Sequence, residues 1–311
     1  MRKIVSIGSL NMDVVHRVSS LPQPGETVQS LSRDNVAGGK GANQAVAAAR
    51  AGGSVWMIGA VGRDAYGESL LEALRADGVR TDCVARVGAD TGTAFITVDA
   101  EGENHIVLSA GANSELSADD IPAWIFGEAS LIMLQNEIPW VVGRIVLERA
   151  RMHGVPVIIN AAPAMRREAD WLALVTVLAL NERELASLSG SPVGTSVRDA
   201  ASGLIKDGAG AVLVTLGSKG SLWLGRDGDE FWTDAFAVDV VDTTAAGDTF
   251  IGAFAAEYVA GVAVEQALRF ASAAAAIAVT RRGAQSSIPT REETIRFMNS
   301  TRNQLRRVHT S

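Results

Sequence analysis

The chain has 311 residues, 47% hydrophobic and 20% charged, with a net charge of −7. That composition excludes a disordered chain, gives length enough for a sizeable core, and leaves no surplus of positive charge for nucleic-acid binding. The single cysteine, Cys83, cannot form an intramolecular disulfide, and the longest apolar runs, WLALVTVLAL and ASAAAAIAV, are too short to span a membrane.

The opening MRKIVSIGSLNMD has no signal-like apolar stretch, so a cytoplasmic location is expected, with neither nucleic acid nor membrane as partner. In chain order, KIVSIG, SVWMIGAVG, SLIMLQ, VPVIIN, VTVLAL and AVLVTLG predict strands. Their apolar residues are continuous, as in a parallel sheet covered on both faces. GANQAVAAARAG, YGESLLEALRADG, WVVGRIVLERARMHG and SVRDAASGLIKDG predict helices between them, several stopped by Gly. The alternation predicts a doubly wound α/β fold. Two segments break it, approximately residues 11–36 and 91–109. The second, TGTAFITVDAEGENHIVLS, reads as a hairpin. Both are expected to leave the main sheet as a small β lid, with plain surface hairpins as the alternative.

Several stretches carry candidate chemistry. In GSLNMD, Asn11 and Asp13 lie two apart, so in extended chain they face one side and can grip vicinal hydroxyls; a simple turn is the other reading. In AGGKGANQAVAAARAG, Gly38, Gly39 and Gly41 allow a ligand close to backbone, while Lys40 and Asn43 offer polar groups to a polyhydroxylated ligand. The stretch is neither GxxxxGK[ST] nor GxGxxG after a strand. LQNEIP places Glu137 after a strand. In NERE, Asn181 and Glu184 share a helical face and suit a hydrated Mg²⁺, or else form a capping box. TLGSKG, residues 215–220, suits close approach of a nucleotide, or a tight hairpin. In VVDTTAAGDTFIGAF, Gly247 permits an unusual backbone before a helix whose first amides, from Ala245 to Asp248, would hold an anion. Asp248 reads as a reactive carboxylate there, or as an ordinary first-turn acid.

AGGKGANQAVAAARAG and DTTAAGDTFIGAF together resemble the two signatures of the PfkB carbohydrate kinase family, in its ribokinase branch. GSLNMDVV, LPQPGETV, TGTAFITVDAEGENHIVLSAGAN, LVTLGSKG and AAAAIAVTRRGAQSSIP extend the similarity over nearly the whole chain. The resemblance implies one domain spanning 1–311, with a ribokinase-like, mostly parallel sheet and a β lid through which two subunits form a homodimer. It implies transfer of phosphoryl from MgATP to a primary hydroxyl of a small sugar, D-ribose at O5 first among them. By matching positions, Asp248 becomes the general base and Ala245, Ala246 and Gly247 the anion hole. Asn11, Asp13, Gly39, Lys40, Asn43 and Glu137 become sugar contacts. Asn181, Thr215, Leu216, Gly217, Ser218, Lys219, Gly220, Gly247 and Ser272 become nucleotide contacts, and Glu184 the outer-sphere Mg²⁺ partner. A K⁺ ion is implied near the anion hole, at Asp242, Thr244, Ala278, Arg281, Gly283 and Ser287.

Some positions depart from the family pattern. Ile251 stands where Asn is common, Leu180 where Pro is common, NAAPA replaces NPAPA, and Ser272 replaces a base-contacting Asn or His. None removes a catalytic group. The competing readings are a kinase for another sugar or a nucleoside, and a non-catalytic sugar-binding protein on the same fold. The second has no use for a general base at Asp248.

Overall fold

The computed structural model describes residues 2–165, 169–192 and 194–300, and the backbone of 305–307. The first half runs β1 (Lys3–Ile7), β2 (Asn11–Arg17), β3 (Ser32–Gly38), α1 (Lys40–Arg50), β4 (Ser54–Gly62), α2 (Ala65–Ala76), β5 (Arg80–Val87), β6 (Gly92–Val98) and β7 (Asn104–Ser109). Next come α3 (Ile125–Glu128), β8 (Ala129–Gln135), α4 (Trp140–His153), β9 (Val157–Asn160), β10 (Val177–Asn181), α5 (Glu182–Ser189) and α6 (Val197–Lys206). The remainder is β11 (Ala211–Thr215), β12 (Ser221–Gly225), β13 (Glu230–Thr233), α7 (Ala246–Ala260), α8 (Val264–Ala278), α9 (Arg291–Ser300) and β14 (Leu305–Arg307).

The main sheet has ten strands in the order β14-β13-β12-β11-β10-β9-β8-β1-β4-β5. From β11 to β5 every pairing is parallel. β12, β13 and β14 add antiparallel strands at one edge. All six predicted strands fall in the parallel part. Ile4 and Val5 show why their runs are apolar throughout: both are fully buried, on opposite faces of the sheet. Ile4 joins the core under α1, α2, α7 and α8, and Val5 the core under α4 and α6. Local sequence sets the helix ends. Asp64 caps α2 by accepting from the Gly67 amide at 2.8 Å, and Gly154 ends α4 in the left-handed region at φ 71°.

The two segments expected outside the main sheet do leave it. They form a four-stranded sheet, β3-β2-β6-β7. β6 and β7 are the expected antiparallel hairpin, and β2 pairs with β6 in parallel. GSLNMD is therefore a passage between sheets, with β1 ending at Ile7 and β2 starting at Asn11.

This topology fixes where a ligand can bind. From β1 the chain builds toward β4 and β5 on one side, then returns to build β8 through β11 on the other. Strand order thus reverses at β1, and the crevice beyond the carboxyl ends of β1 and β8 is the switch point of an open α/β sheet. Gly8–Asp13, Gln135–Glu137, Asn160 and Asn181 all lie at or just beyond such strand ends.

Candidate active site

Asp248 lies in the first turn of α7 and is buried. Each carboxylate oxygen accepts from an amide of α1: Oδ2 from Asn43 Nδ2 at 3.0 Å, Oδ1 from Gln44 Nε2 at 2.9 Å. α1 and α7 approach closely because Gly252 has no side chain; a Cβ there would stand 2.5 Å from the Ala47 Cβ and the Gln44 carbonyl. The two signature stretches, some 200 residues apart in sequence, thus meet at one carboxylate.

Charges gather around Lys40. Its ammonium is held above the usual lysine range, first by Asp248, against the cost of burial, and with help from Glu137, Glu184 and Asp13. Burial pushes the Asp13 carboxyl up to about 7, and the neighbouring Glu137 and Asp248 charges add to that, with Lys40 opposing. Glu137 accepts from Ser9 Oγ at 2.5 Å and from the Lys40 amide at 3.3 Å. Asn113 pins the corner between the sheets: its side chain bonds both Leu10 backbone groups and donates to Asn11 Oδ1 at 2.8 Å. Asn11, Asp13, Gly39, Lys40, Asn43 and Glu137 are therefore together, as the sequence reading expected.

The glycines act differently from expectation. A Cβ on Gly39 would stand 2.7 Å from the Asn11 amide, one on Gly41 2.6 Å from the Gly8 carbonyl carbon, and one on Gly38 2.4 Å from Asp13 Oδ2. The close approach they permit is of protein to protein, which seats β2 and the Asp13 carboxylate. Gly39 also has φ 89°.

Two cavities flank the N-terminus of α7. A polar one of about 220 Å³ is lined by Lys40, Asn160, Asn181, Glu184, Asp248, Ile251 and the loop from Thr243 through Ala245, Ala246 and Gly247. A larger, mostly apolar one of about 470 Å³ is lined by Thr215, Gly217, Ser218, Gly220, the Ala235–Val238 stretch, Phe250, Ser272, Ala275, Ala276 and Val279. They share Thr215, Thr243, Ala246 and Gly247. Leu216 and Lys219 line neither. Leu216 packs in the core because its side chain points under the sheet, and the exposed Lys219 pairs with Glu182 at 3.5 Å. Gly217–Lys219 is one tight turn joining antiparallel β11 and β12, so TLGSKG is a hairpin as well as a cavity wall.

The unusual backbone of the loop is at Ala245, not Gly247. Ala245 has φ 56°, the left-handed region, whereas Gly247 is already helical and a Cβ on it would meet nothing within 4 Å. The Ala246 amide donates to the Thr243 carbonyl at 3.2 Å. The next first-turn amides, of Gly247 and Asp248, have no acceptor within the helix and carry its positive end.

Asn181 and Glu184 form the capping box of α5 and also line the polar cavity. Glu184 Oε2 accepts from the Asn181 amide at 2.8 Å, and burial raises its carboxyl above the ordinary range despite that bond and Lys40. Asp242 is half-buried. Burial disfavours its charge, yet bonds to its Oδ1 from the Thr244 hydroxyl and amide, to its Oδ2 from the Gly283 amide, and the Arg17 charge hold it below the usual carboxylate range. Arg281 does not pair with it; Arg281 binds Glu293 at 2.6 Å. Ser287 is buried and donates to the Ala284 carbonyl at 2.8 Å, and the Ala278 carbonyl accepts from the Arg281 amide.

Residues 1–291 match the pfkB family carbohydrate kinases. The chain is 40% identical to the ribokinase of Haemophilus influenzae, over 96% of this chain and 99% of that one. It is 38% identical to the deoxyribokinase of Salmonella typhi, over 93% and 96%. The solved structure of Arabidopsis thaliana ribokinase with ribose and ATP superimposes with a TM-score of 0.88 at 36% identity, covering 95% of this chain and 98% of that one. The chain belongs to the pfkB family of carbohydrate kinases. It is a phosphotransferase with an alcohol acceptor.

Three residues of this kinase escaped the sequence reading: Gln44, Gln135 and Asn160. Each is buried and polar, Gln44 beside Asn43 in α1 and the other two at the ends of the predicted strands SLIMLQ and VPVIIN. A polar residue at the carboxyl end of a buried parallel strand was the signal available.

Proposed function

We propose that this kinase transfers the terminal phosphoryl group of ATP to the O5 hydroxyl of D-ribose, giving ribose 5-phosphate and ADP, in the cytoplasm. The observation that carries this is the buried Asp248 carboxylate at the positive end of α7, between a charged sugar side and an apolar nucleotide side. Asp248 takes the proton of the sugar hydroxyl as that oxygen forms its bond to phosphorus and the bond to the ADP oxygen breaks. The loop from Ala245 to Gly247 holds the charge of the transferring group, its amides fixed beforehand by the helix. Asn11, Asp13, Gly39, Lys40, Asn43 and Glu137 hold the sugar, and Asn43 Oδ1, buried with no protein partner, is an acceptor for a hydroxyl. Thr215, Gly217, Ser218, Gly220 and Ser272 wall the base and ribose of the nucleotide, while Leu216 and Lys219 offer only backbone. Asn181 faces its phosphates.

Two cations fit the residues present. No group of three or more His, Cys, Asp or Glu side chains arranged for a metal occurs among the described residues. Mg²⁺ keeps its waters and leans on substrate phosphates, and the half-buried Glu184 would reach it through water. When bound, it supplies charge neutralisation on the phosphates. Asp242 is kept ionised where the 242–248 loop meets the 281–287 loop, and with the carbonyls of Thr244, Ala278, Arg281 and Gly283 and with Ser287 it offers hard oxygens to K⁺. Activity should rise with K⁺ at constant ionic strength, and that response should vanish in Asp242→Ala; equal rates in K⁺, Na⁺ and a bulky organic cation would refute the site.

We also infer a single domain whose small sheet is a lid and homodimer interface. β7 is an edge strand exposed along its whole length, with Ile106 57%, Val107 67% and Leu108 50% exposed. A monomer with full activity in light scattering would contradict the interface. No helix among the described residues is long and apolar enough to cross a membrane. The substrate is tested by a coupled ATP-consumption assay over D-ribose, 2-deoxy-D-ribose, hexoses and nucleosides. D-Ribose should give the highest kcat/KM; a tenfold preference for any other acceptor would overturn it.

A further inference from the structure

Behind Asp248 lies a chain of buried amides that reaches the polar cavity only at Asn160. Gln44 is fully buried. Its Nε2 donates to Asp248 Oδ1 at 2.9 Å and to Asn160 Oδ1 at 3.1 Å, and its Oε1 accepts from Gln135 Nε2 at 2.7 Å. Asn160 Nδ2 donates in turn to the Ala179 carbonyl at 3.2 Å. That last bond anchors the orientation of the whole chain. The Ala179 carbonyl can only accept, so Asn160 must turn its Nδ2 toward β10 and its oxygen toward Gln44. Gln44 must then face Asn160 and Asp248 with its nitrogen, and its oxygen must meet the nitrogen of Gln135. Reversing Gln44 would set an oxygen against the oxygens of both Asp248 and Asn160. Gln135 itself sits against Gly8: a Cβ on Gly8 would stand 1.9 Å from Gln135 Oε1, an atom that is buried without a partner. Gly8 leaves the room in which this amide is seated, with Gln135 Oε1 buried against it.

We propose that Gln44 is a positioning residue for Asp248, kept in its donating orientation by Gln135 and Asn160. This rests on Asp248 being the base. Asn43 and Gln44 grip one carboxylate oxygen each, which fixes the plane of the carboxylate and so the direction of the lone pair left for the sugar hydroxyl. Gln44 is fully buried and both its polar atoms are taken by protein partners, so it acts on the rate without touching substrate, and Gln135 acts through it.

The test uses Gln44→Met, Gln135→Met, their double variant and Asp248→Asn. Sugar and ATP affinities are measured by calorimetry, kcat by coupled assay and folding by thermal melt. Gln44→Met should lower kcat up to roughly 100-fold, as small misplacements of a reacting group do, while sugar and ATP dissociation constants stay within about threefold. Gln135→Met should lower kcat in the same direction by less, since Gln44 keeps Asn160 and Asp248 as partners and loses only the bond to its Oε1. The double variant should be no slower than Gln44→Met, because both losses run through one amide. If Gln44→Met does not fold, Gln135→Met decides: unchanged kcat overturns the proposal. It is also overturned if either glutamine variant loses sugar affinity as much as kcat, or if the two losses multiply. Should Asp248→Asn keep near wild-type kcat, the base assignment fails instead, whatever the glutamines do.

Discussion

The two sides of the α7 N-terminus are built by opposite means. On the proposed sugar side Asp13, Lys40, Glu137 and Asp248 crowd together, and burial, with the Glu137 and Asp248 charges adding to it, pushes Asp13 up to about 7. On the proposed nucleotide side the wall is Phe236, Val238, Phe250, Ala275, Ala276 and Val279, with Ser218 and Ser272 among its few polar side chains. A small polyol offers little surface and many hydroxyls, so it is gripped by charged and amide groups whose desolvation is already met by the fold. A nucleotide offers a large flat base, and an apolar slot with backbone edges suffices. The helix end between them serves both, since the transferring phosphoryl belongs to each substrate in turn. Substitutions on the two sides should therefore separate into effects on chemistry and sugar, and effects on ATP.

The largest effect is expected at the junction. Asp248→Asn should lower kcat by about 10²–10⁴-fold, the range for a lost general base, with both substrates still bound. A kcat within threefold of wild type would break the comparison, since the charged side would then not be the chemical side. Asp13→Ala should weaken ribose binding by roughly 5- to 150-fold, about 1–3 kcal/mol for hydroxyls left unpaired, and leave ATP affinity unchanged. Calorimetry showing equal losses for both substrates would mean that the two sides are one coupled site.

The pH response sharpens the contrast. Sugar hydroxyls donate, so they bind the ionised Asp13 and lower its proton affinity. Ribose affinity should be full well above pH 7 and fall about tenfold per unit well below it, with proton release on binding near neutrality. ATP affinity should lack this step. In the free protein the sign is opposite. A carboxyl raised to about 7 when folded contributes stability that is fully present below its unfolded value near 4 and lost as pH rises to about 7. Asp13→Asn should therefore stabilise the free protein increasingly over that window and level off above it. A stability difference independent of pH would show that Asp13 is not held at odds with its surroundings.

The same contrast explains what the sequence let be read. The parallel sheet was legible because buried strands such as KIVSIG are largely apolar on both faces, a buried polar residue such as Ser6 needing a bonded partner. Asn11, Asp13, Lys40, Glu137, Glu184 and Asp248 could be named as candidates because they stand in or beside glycine-rich turns, strand ends and the two family signatures. Gln44 could not, since a glutamine within an alanine-rich helix looks like a solvated face until the partner carboxylate, 204 residues away, is brought against it. Asp242 and Asp248, six residues apart, look alike in sequence. Only the fold buries one against two amides of α1 and leaves the other half-exposed, tying two loops. The direction of the Lys219 side chain was illegible for a related reason: motif membership says nothing of which way a turn residue points, and this one points to Glu182.

The smallest expected effect distinguishes fold from function within three residues. Ala245 carries the left-handed backbone, and Gly247 does not. If the loop were shaped by glycine, Gly247→Ala would strain it and destabilise the protein. The geometry implies the reverse. Gly247 is helical, and its missing Cβ faces open space. Alanine there should stabilise the free protein by up to about 0.5 kcal/mol, a rise of roughly 1–2 °C in Tm. The open space, however, is where the two cavities join and the phosphoryl group must pass. The new methyl would stand in it and push the group off the amides, so kcat should fall by roughly tenfold or more in a protein that melts no lower. Ala245→Gly provides the converse: relief of the left-handed strain, about 1 kcal/mol, is largely offset by the looser unfolded chain, so Tm should hardly move. A Gly247→Ala protein that melts lower and works as well as wild type would mean that the glycine serves the loop, and that the space in front of it is not the path of the phosphoryl group.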